Sequence, residues 1–422
     1  MKNRLLSLDV LRGLTIMLMT IVNNPGDWGN VYAPFLHAEW HGCTPTDLVF
    51  PTFLFIVGIT TVLATPQKVV TSATIQKVLT RFLRIFLLGL FLNFFSKIHI
   101  FGLEGIPLLI ARLLITAGIV VALFSDYDRK KQLYVAIGVF ILMMVLAFGG
   151  FEDYKNVRIP GVLQRIGIVY LAVSLLYLTT TLRTQIIVGV VLLFAYWAMM
   201  TLIPVPGFGP ANVEKGTNLA AWLDYLLLPD HLWASAKTWD PEGILSTIPA
   251  VGTGIAGLLT GALLTSKLPT QKKGGYLLIA GAAGILLGLV WNEVFPINKA
   301  LWTSSYVLYA AGIALIVLAL LYFIIDYKEW KSWITPFLVF GVNPMVVFFF
   351  SGIIPRTLSS IRVPHPQEAG ESVGLQSYLY DFQIAPLFSN PKSASMAGAL
   401  IYLFIWYVIL YAFYRKKLIF KV

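Results

Sequence analysis

The sequence predicts an all-α polytopic membrane protein, a bundle of about twelve transmembrane helices (10 to 12). Of its 422 residues, 58% are hydrophobic and only 12% are charged, and the mean hydropathy is +0.79, far above that of soluble domains. Apolar runs of about 18 or more residues, enough to cross the hydrocarbon core as helix, recur along the chain. Little sequence remains for a soluble domain, so we predict one integral membrane domain over residues 1–422.

Twelve apolar segments are long enough to be spans, with ends defined to within a few residues. They cover residues 5–23, 47–65, 79–97, 105–124, 131–149, 161–179, 185–204, 244–265, 274–292, 301–325, 332–353 and 396–414. We predict that the first is a permanent helix and not a cleaved signal peptide. Asp9, Arg12 and Gly13 interrupt its core, and no small-residue cleavage site follows.

The distribution of Lys and Arg predicts that both termini are cytoplasmic. With a cytoplasmic N-terminus, 19 of the 31 basic residues fall in inside segments and nine fall in outside segments that are longer in total. An excess of positive charge marks the cytoplasmic side of membrane proteins. The remaining three, Arg12, Arg112 and Arg165, lie within predicted spans.

Three long segments, 24–46, 205–243 and 354–395, then fall on the outer face. They are rich in Trp, Pro, Gly and Asn, whereas the inside loops are short and basic. Loops of this size between helices are usually functional or packed as caps. The elaborated surface is therefore expected in the periplasm of a bacterium or in a eukaryotic lumen.

The net charge of +11 follows from this topology and indicates contact with anionic membrane lipids, with no nucleic-acid partner. A single cysteine, Cys43, excludes an intramolecular disulfide and a cysteine-based metal cluster, and reads as a small loop residue. His37 and His41 are four residues apart with Glu39 between them, but the H-E-x-x-H arrangement and a third ligand are missing. We predict no metal site.

Ionisable groups inside a membrane are functional candidates because they are costly to bury. Asp9 and Arg12 lie three apart on one helix face, where they either pair with each other or extend to the cytoplasmic headgroups. Arg112 and Arg165 each need an anionic partner or a polar cavity. A structural ion pair and a ligand contact remain equal alternatives for both.

Two other motifs have local structural explanations. Asp240 is a suitable N-cap and Pro241-Glu242 a suitable first turn, so helix capping explains much of DPEG at 240–243. In GVNPM at 341–345, Asn343 lies mid-span beside a proline that breaks the helix. Such a break is tolerated where it lines a cavity.

The stretch FLHAEWHGCTPTDLVFPTFLFIVG at 35–58 brings titratable groups to the mouth of the second span. His37 can act as base, acid or nucleophile near neutral pH. Asp47 could orient its imidazole, and Asn23 and Asn24, at the outer end of the first span, offer amide donors. The alternative is that His37 is a loop histidine without a catalytic role.

Six motifs, in order along nearly the whole chain, resemble those of the heparan-α-glucosaminide N-acetyltransferase family and its bacterial relatives. They are RLLSLDVLRGLTIMLMTIVNN, HAEWHGCTPTDLVFPTFLFIVG, RIPGVLQRIGIVYL, DPEGILSTIPA, PINKALWTSSYVL and GVNPM. The large lumenal N-terminal domain of the animal enzymes has no counterpart here, which indicates a bacterial-type member in an inner membrane. An additional apolar pair, 105–149, precedes RIPGVLQRIG and preserves the parity of the spans.

The resemblance implies a transmembrane acyltransferase that moves acetyl from cytosolic acetyl-CoA to the amine of a glucosamine-type sugar on the far side. His37 aligns with the family's active-site histidine, Asn23 with its partner asparagine, and Asp47 with its aspartate, although threonine precedes Asp47 here. We expect cations to hold the CoA and a polar set to bind the sugar. The CoA set is Arg4, Arg12, Arg81, Arg84 and Arg165, and the sugar set is Trp40, Asn24, Glu242 and Lys299.

Two reaction routes stay open: His37 deprotonates the amine, or His37 is itself acetylated and passes the group on. In both, Asn23 would stabilise the oxyanion. The rival functions are a transporter of amino sugars or N-acetylglucosamine, and a non-catalytic scaffold for envelope glycan assembly. Against transport, the polar groups gather at one mouth and not at the midplane. The natural acceptor and the oligomeric state, including a homodimer, are left open.

Overall fold

The computed structural model describes residues 5–420, and its architecture is a helical bundle. The helices of the first half are α1 (Leu6–Asn23), α2 (Val49–Ala64), α3 (Ser72–Phe94), α4 (Gly105–Phe124), α5 (Arg129–Phe148), α6 (Val162–Thr179) and α7 (Leu182–Leu202). Those of the second half are α8 (Leu219–Leu227), α9 (Thr247–Thr265), α10 (Thr270–Asn292), α11 (Ser304–Leu321), α12 (Thr335–Val342), α13 (Pro344–Ser360), α14 (Leu375–Tyr378) and α15 (Pro391–Arg415). Two short strands, β1 (Arg362–Pro364) and β2 (Ser372–Gly374), form an antiparallel hairpin in which Arg362 lies opposite Gly374.

Within the described residues, eleven helices are long and apolar enough to cross a membrane. The pair α12 and α13 meets the same criteria together but bends by 77°, so the bundle has up to twelve spans. The predicted all-α polytopic bundle is confirmed. The predicted spans match these helices, and the largest differences are of seven residues: α3 begins at Ser72 and not at 79, and α13 ends at Ser360 and not at 353.

The close contact between α2 and α9 depends on glycines. A Cβ atom at Gly58 would collide with the backbone of α9, and one at Gly257 would collide with the backbone of α2. Small residues at such positions let two transmembrane helices approach until their backbones touch. Since α2 follows segment 36–48 and α9 follows DPEG, this contact fixes two of the quoted motifs relative to each other.

The break between α12 and α13 lies at Asn343, as the sequence predicts. The Asn343 side chain donates to the carbonyl of Leu418 at 3.0 Å and accepts from the N–H of Phe420 at 2.9 Å. Pro344 starts α13, where its missing N–H costs no hydrogen bond. The backbone of Leu418 and Phe420 thereby provides hydrogen-bond partners for the side-chain amide of Asn343 at the break.

The capping explanation of DPEG is wrong. Helix α9 begins at Thr247, with Ser246 at the N-cap position, so Asp240 and Glu242 precede the helix. Both carboxylates of DPEG bind an arginine instead, and the chain runs through turns before it becomes helical. The predicted outer segment 205–243 contains the nine-residue helix α8.

Candidate active site

His37 and Asp47 form a hydrogen-bonded pair at the start of α2. The His37 Nδ1 atom lies 2.6 Å from Asp47 Oδ1, and the side chains are 53% and 1% exposed, respectively. The other carboxylate oxygen, Oδ2, accepts the backbone N–H groups of Ala38 at 3.1 Å and Thr44 at 2.9 Å. A buried carboxylate thus holds an accessible imidazole, which is the contact expected from the sequence.

These hydrogen bonds determine which imidazole nitrogen can react. Asp47 acts as an acceptor toward two backbone N–H groups, as an ionised carboxylate does. Nδ1 of His37 is then the donor, and Nε2 carries the lone pair. The half-exposed ring presents this nitrogen as a base or nucleophile.

The segment that carries the pair is held by the rest of the bundle. The Tyr306 hydroxyl in α11 donates to the Asp47 carbonyl at 2.5 Å. The Thr44 hydroxyl donates to the Leu36 carbonyl at 2.7 Å, and the Gly42 N–H donates to the Ile297 carbonyl at 2.7 Å. Segment 36–48 is therefore anchored both internally and on PINKALWTSSY.

A buried charged cluster adjoins this region. Arg158 donates through Nε to Asp240 at 2.8 Å and through Nη2 to the same carboxylate at 2.6 Å. Its Nη2 also donates to Glu242 at 2.5 Å. Asp224 in α8 accepts the backbone N–H groups of Ile244 at 2.8 Å and Asp240 at 3.3 Å. The acids are buried, and such charges are tolerated only when paired or well hydrogen-bonded.

The surroundings of Asp224 and Glu242 shift the pKa values of these two acids in opposite directions. Burial raises the pKa of Asp224 to about 7. Burial also acts on Glu242, but the charges of Arg158, Lys299 and Arg165 outweigh it and hold the Glu242 pKa below its ordinary value. At neutral pH, Glu242 is ionised while Asp224 is partly protonated.

Arg165 belongs to this cluster and not to the other predicted CoA-binding cations. It is buried, donates to the Gly243 carbonyl at 3.0 Å and to the Ser246 hydroxyl at 2.5 Å, and lies 5.1 Å above the Trp302 ring. Its Nε and Nη1 atoms have no hydrogen-bond partner. Arg165 does not line the cavity that holds three of the other predicted CoA-binding cations, and its contact with CoA stays a prediction.

Trp40 and Lys299 lie beside the same cluster. The Trp40 indole donates to the Val213 carbonyl at 2.9 Å and packs edge-on against Trp239 at 5.3 Å. Lys299 is half-buried, and its charge helps to lower the Glu242 pKa. Three of the four residues predicted to bind sugar, Trp40, Glu242 and Lys299, are thus brought toward one region.

Asn23 and Asn24 line a different cleft, together with Arg356. The Asn24 amide donates to the Thr20 carbonyl at 2.9 Å, which closes the end of α1. Among the hydrogen bonds of the described residues, none joins Asn23 to His37. The predicted partnership of these two residues stays a prediction.

A cavity of about 900 Å³ lies between α1, α2, α3 and α6, and we call it the arginine cavity. Its basic lining residues are Arg12, Lys77, Arg81, Arg84 and Arg129, and its acidic ones are Asp126 and Asp128. Three of the predicted CoA-binding cations, Arg12, Arg81 and Arg84, therefore share one cavity. Arg4 lies outside the described residues.

The arginines of this cavity differ in how they are held. Arg12 pairs with Asp9 at 3.0 Å, which is the first of the two alternatives predicted for these residues. Arg81 lies 4.7 Å above the Tyr170 ring, and Arg84 lies 5.6 Å above the Phe124 ring. The Nε atoms of Arg81 and Arg84 are buried without a hydrogen-bond partner. These donors suit an incoming anion such as a phosphate.

Cys43 and Arg112 take the roles of structural residues. Burial raises the pKa of the Cys43 thiol to about 12, so it is not a thiolate at neutral pH. Arg112 donates to the carbonyls of Ser96 and Ile98, both at 3.0 Å. A carboxylate partner for Arg112 is not found between residues 5 and 420, so the ion-pair alternative is wrong. His41 is exposed, and its Nδ1 lies 3.4 Å from the amide of Asn298.

Sequence reasoning missed Arg158, Asp224 and Tyr306. Arg158 opens the motif RIPGVLQRIGIVYL, in a segment that the distribution of Lys and Arg predicts to lie outside. Asp224 is the one acid of the apolar run LAAWLDYLL, a pattern that could have indicated a buried carboxylate. Tyr306 ends PINKALWTSSY, and no local pattern reveals that its hydroxyl reaches Asp47.

Comparisons with known proteins agree with the six motifs. Residues 4–157 match the family model described as heparan-alpha-glucosaminide N-acetyltransferase, catalytic. The mouse (Mus musculus) protein of that name is 27% identical over 471 aligned positions, which cover 100% of this chain and 61% of the relative. The human (Homo sapiens) protein is 26% identical over 470 positions, which cover 99% and 60%.

This chain thus spans about three fifths of the length of these curated relatives. The family model covers the segment with His37, Asp47, Arg81 and Arg84. The matched catalytic region therefore contains the predicted catalytic residues and most of the predicted CoA-binding cations. The resemblance predicted from the motifs is confirmed: residues 4–157 match the catalytic model of the heparan-α-glucosaminide N-acetyltransferase family, and the whole chain is similar to two proteins of that name.

Proposed function

We propose that this protein is a transmembrane acetyltransferase. It moves an acetyl group from acetyl-CoA, bound from the cytosolic side, to the amine of a glucosamine-type sugar on the outer face of the membrane. The donor, the direction and the acceptor all belong to this proposal, as does residence in a bacterial inner membrane.

One observation carries the proposal: a cation-lined cavity and an activated histidine occupy the two ends of one helix. The arginine cavity follows α2 from Thr60 to Phe53. Phe53 is six residues from Asp47, or roughly 9 Å at the helical rise. Asp47 in turn holds His37 at 2.6 Å. A bound thioester could therefore extend through the bundle toward the imidazole.

The chemistry requires a neutral amine. In the direct route, Nε2 of His37 takes a proton as the amine nitrogen attacks the thioester carbonyl carbon. The C–S bond breaks, and the sulfur leaves as the CoA thiolate. In the covalent route, Nε2 attacks first, and the amine then displaces the imidazole from the acetyl group. Asp47 stabilises the imidazolium in both routes, and Asn23 remains the proposed oxyanion donor.

The donor side would rely on Arg81 and Arg84. Their unpartnered buried Nε atoms can donate to the phosphates of CoA. The apolar lining deeper in the cavity, Phe53, Ile56, Leu163 and Ile166, suits the less polar pantetheine arm. No described carboxylate is bound to Arg81 or Arg84.

Radiolabelled acetyl-CoA tests the catalytic proposal. Purified protein, incubated with labelled acetyl-CoA and glucosamine, is expected to form labelled N-acetylglucosamine. His37→Ala should lose this activity by about 10² to 10⁴-fold, the range for a general base. His41→Ala is the matched control, because His41 is exposed and four residues away. Label retained on the protein without acceptor would select the covalent route.

The enzyme proposal fails if no amino sugar is acetylated and His37→Ala behaves like the wild type. Uptake of N-acetylglucosamine into proteoliposomes without acetyl-CoA would instead establish the transporter alternative. Both measurements use the same purified preparation.

The donor site is tested separately by Arg81→Gln and Arg84→Gln. Each removes a charge-assisted hydrogen bond to phosphate, so the KM for acetyl-CoA is expected to rise about tenfold or more. The KM for glucosamine should stay constant. Arg183→Gln serves as control, since Arg183 is exposed and does not line the cavity. An unchanged KM in both cavity variants would contradict this assignment.

A further inference from the structure

The backbone carbonyl of Asp47 lacks the donor that a continuous helix would give it. Residues Pro45–Leu48 form a short helical turn that runs directly into α2, and the N–H of Val49 already donates to the carbonyl of Thr46. In an α-helix, the Asp47 carbonyl would accept the N–H of the residue four positions later. That residue is Pro51, which has no N–H.

Tyr306 in α11 provides a donor to this carbonyl. Its hydroxyl donates to the Asp47 carbonyl at 2.5 Å, and the two residues are 0% and 1% exposed, respectively. A buried carbonyl without a donor is costly, so the helical turn would shift if the hydroxyl were lost. The Tyr306 hydroxyl thus takes the place of the N–H that Pro51 lacks.

The position of Tyr306 is itself closely fixed. Its ring packs edge-on against Trp302 at 5.4 Å, and the buried Trp302 indole donates to the Thr253 hydroxyl at 3.1 Å. The three hydroxyls that precede Tyr306 each donate to a backbone carbonyl at 2.5 to 2.8 Å: Thr303 to Pro296, Ser304 to Leu193 and Ser305 to Phe295. A donor on such a supported element holds its partner in one position.

Asp47 is therefore held from two sides. Its carboxylate accepts the N–H groups of Ala38 and Thr44, and Tyr306 holds its backbone carbonyl. Only the short side chain separates the fixed carbonyl from the carboxylate that contacts His37. A misplacement of about 1 Å at a catalytic group can reduce a rate roughly 10²-fold. The orientation of His37 thus depends on the turn that Tyr306 fixes.

We propose that Tyr306 is a positioning residue for acetyl transfer. By donating to the Asp47 carbonyl in place of the N–H missing at Pro51, its hydroxyl fixes the carboxylate that orients His37. Among the hydrogen bonds of residues 5–420, none joins Tyr306 to His37, so the effect passes through Asp47. The kinetic part of this inference rests on the proposed function, whereas the positioning of His37 does not depend on which reaction is catalysed.

Tyr306→Phe removes only the hydroxyl. The kcat for acetyl transfer should fall about three- to tenfold, the range for one lost hydrogen bond. The KM for acetyl-CoA should stay constant, because Tyr306 does not line the arginine cavity. In the Asp47→Asn background, Tyr306→Phe should lower kcat no further, since the carboxylate that it positions is gone. A wild-type kcat in Tyr306→Phe, or an equal fold loss in both backgrounds, would overturn the proposal.

Tyr177→Phe is the matched control. The Tyr177 hydroxyl donates to the carbonyl of Thr65 at 3.2 Å, at the other end of α2, and Tyr177 is 6% exposed. This variant loses the same type of hydrogen bond from the same helix, so a general loss of helix stability should appear in both variants. Tyr177→Phe should keep the wild-type kcat per folded protein. A loss of kcat as large as that of Tyr306→Phe would contradict a specific role for Tyr306.

Pro51→Ala supplies the missing N–H four residues after Asp47. In this background the Tyr306 hydroxyl should be dispensable, so P51A/Y306F and P51A should have the same kcat within about twofold. A remaining three- to tenfold loss in P51A/Y306F would overturn the proposal. The same pair of variants decides the question if Tyr306→Phe alone does not fold.

The chemical reactivity of His37 tests the positioning without acetyl transfer. Diethyl pyrocarbonate acylates neutral imidazole nitrogens, and mass spectrometry measures the rate at His37 relative to the exposed His41 as internal standard. The contact with Asp47 leaves Nε2 as the reactive nitrogen and increases its electron density. The ratio should therefore fall about twofold or more in Tyr306→Phe, as in Asp47→Asn.

This measurement separates the two proposals. An unchanged ratio in Tyr306→Phe would overturn the positioning role even if the protein acetylates glucosamine. A lowered ratio in a protein whose wild type transfers no acetyl group would support the positioning of His37 and refute the acetyltransferase function.

Discussion

At the residue scale, the His37–Asp47 pair makes a sharp prediction. Asp47→Asn keeps the size of the side chain but removes the charge that stabilises an imidazolium. The rate of acetyl transfer should fall by about 10²-fold or more while the KM for acetyl-CoA changes little. Steady-state kinetics with labelled acetyl-CoA measures both.

Asp27→Asn is the control for this variant. Asp27 lies in the preceding loop, accepts hydrogen bonds from Gly29 at 2.8 Å and Asn30 at 2.6 Å, and makes no described contact with His37. Its loss should leave the rate unchanged. Equal rates in Asp47→Asn and the wild type would remove Asp47 from the reaction.

Asp224 predicts how stability changes with pH. Its pKa is about 7 in the folded protein, raised by burial from the ordinary 3.8. The folded state therefore binds this proton more tightly than the unfolded state does. The resulting stabilisation is complete below about pH 4 and is lost as the pH rises through about 7.

The apparent melting temperature in detergent tests this sign. It should decrease between pH 5 and 8 in the wild type, and the decrease should be smaller in Asp224→Asn, which cannot ionise. Parallel profiles for the two proteins would show that Asp224 titrates normally.

How much the sequence predicts differs among these residues. His37 and Asp47 could be identified because they lie ten residues apart in one motif at the mouth of a span. Arg158 and Asp240 are 82 residues apart, and their pairing depends on how α6 and α9 pack. The local sequence around Asp240 predicts a helix cap, because a local pattern contains no information on a partner as distant as Arg158. The hydrogen bond from Arg165 to the Gly243 carbonyl is unpredictable for the same reason, because the two residues are 78 positions apart.

At the element scale, the α2–α9 interface should tolerate no added side chain at Gly58. A valine there would push its methyl groups into the backbone of α9. Overpacking of this kind costs about 1–3 kcal/mol, and the helix that follows Asp47 would separate from the helix that follows DPEG. The melting temperature of Gly58→Val in detergent should fall, together with acetyl transfer.

Gly138→Val is the matched substitution, because an added Cβ atom at Gly138 in α5 meets nothing within 4 Å. It should retain the wild-type melting temperature. If both variants melt alike, close backbone contact does not hold α2 against α9. Sequence reasoning located both helices, but their glycine contact requires the packed structure.

At the scale of the whole molecule, the bent pair α12–α13 decides the topology. If the pair crosses the membrane as one span, the twelve spans place both termini on the same side. If it re-enters, the termini lie on opposite sides. The bias of Lys and Arg predicts the first arrangement, with both termini cytoplasmic.

Reporter fusions measure this directly. Green fluorescent protein at either terminus should fluoresce in the bacterial cytoplasm, whereas alkaline phosphatase at the C-terminus should be inactive. An active C-terminal phosphatase would show that α12–α13 is a re-entrant element. It would also reverse the side to which the segments after α13 are assigned.

The attachment of the C-terminal segment to Asn343 has a thermodynamic consequence. Ile419 and Phe420 form part of the wall of the arginine cavity, and Phe420 is tied to the helix break at 2.9 Å. A ligand in that cavity would therefore touch this segment. If binding favours the docked segment by some factor, the docked segment must favour binding by the same factor. A tag or truncation there would change donor affinity without altering any arginine.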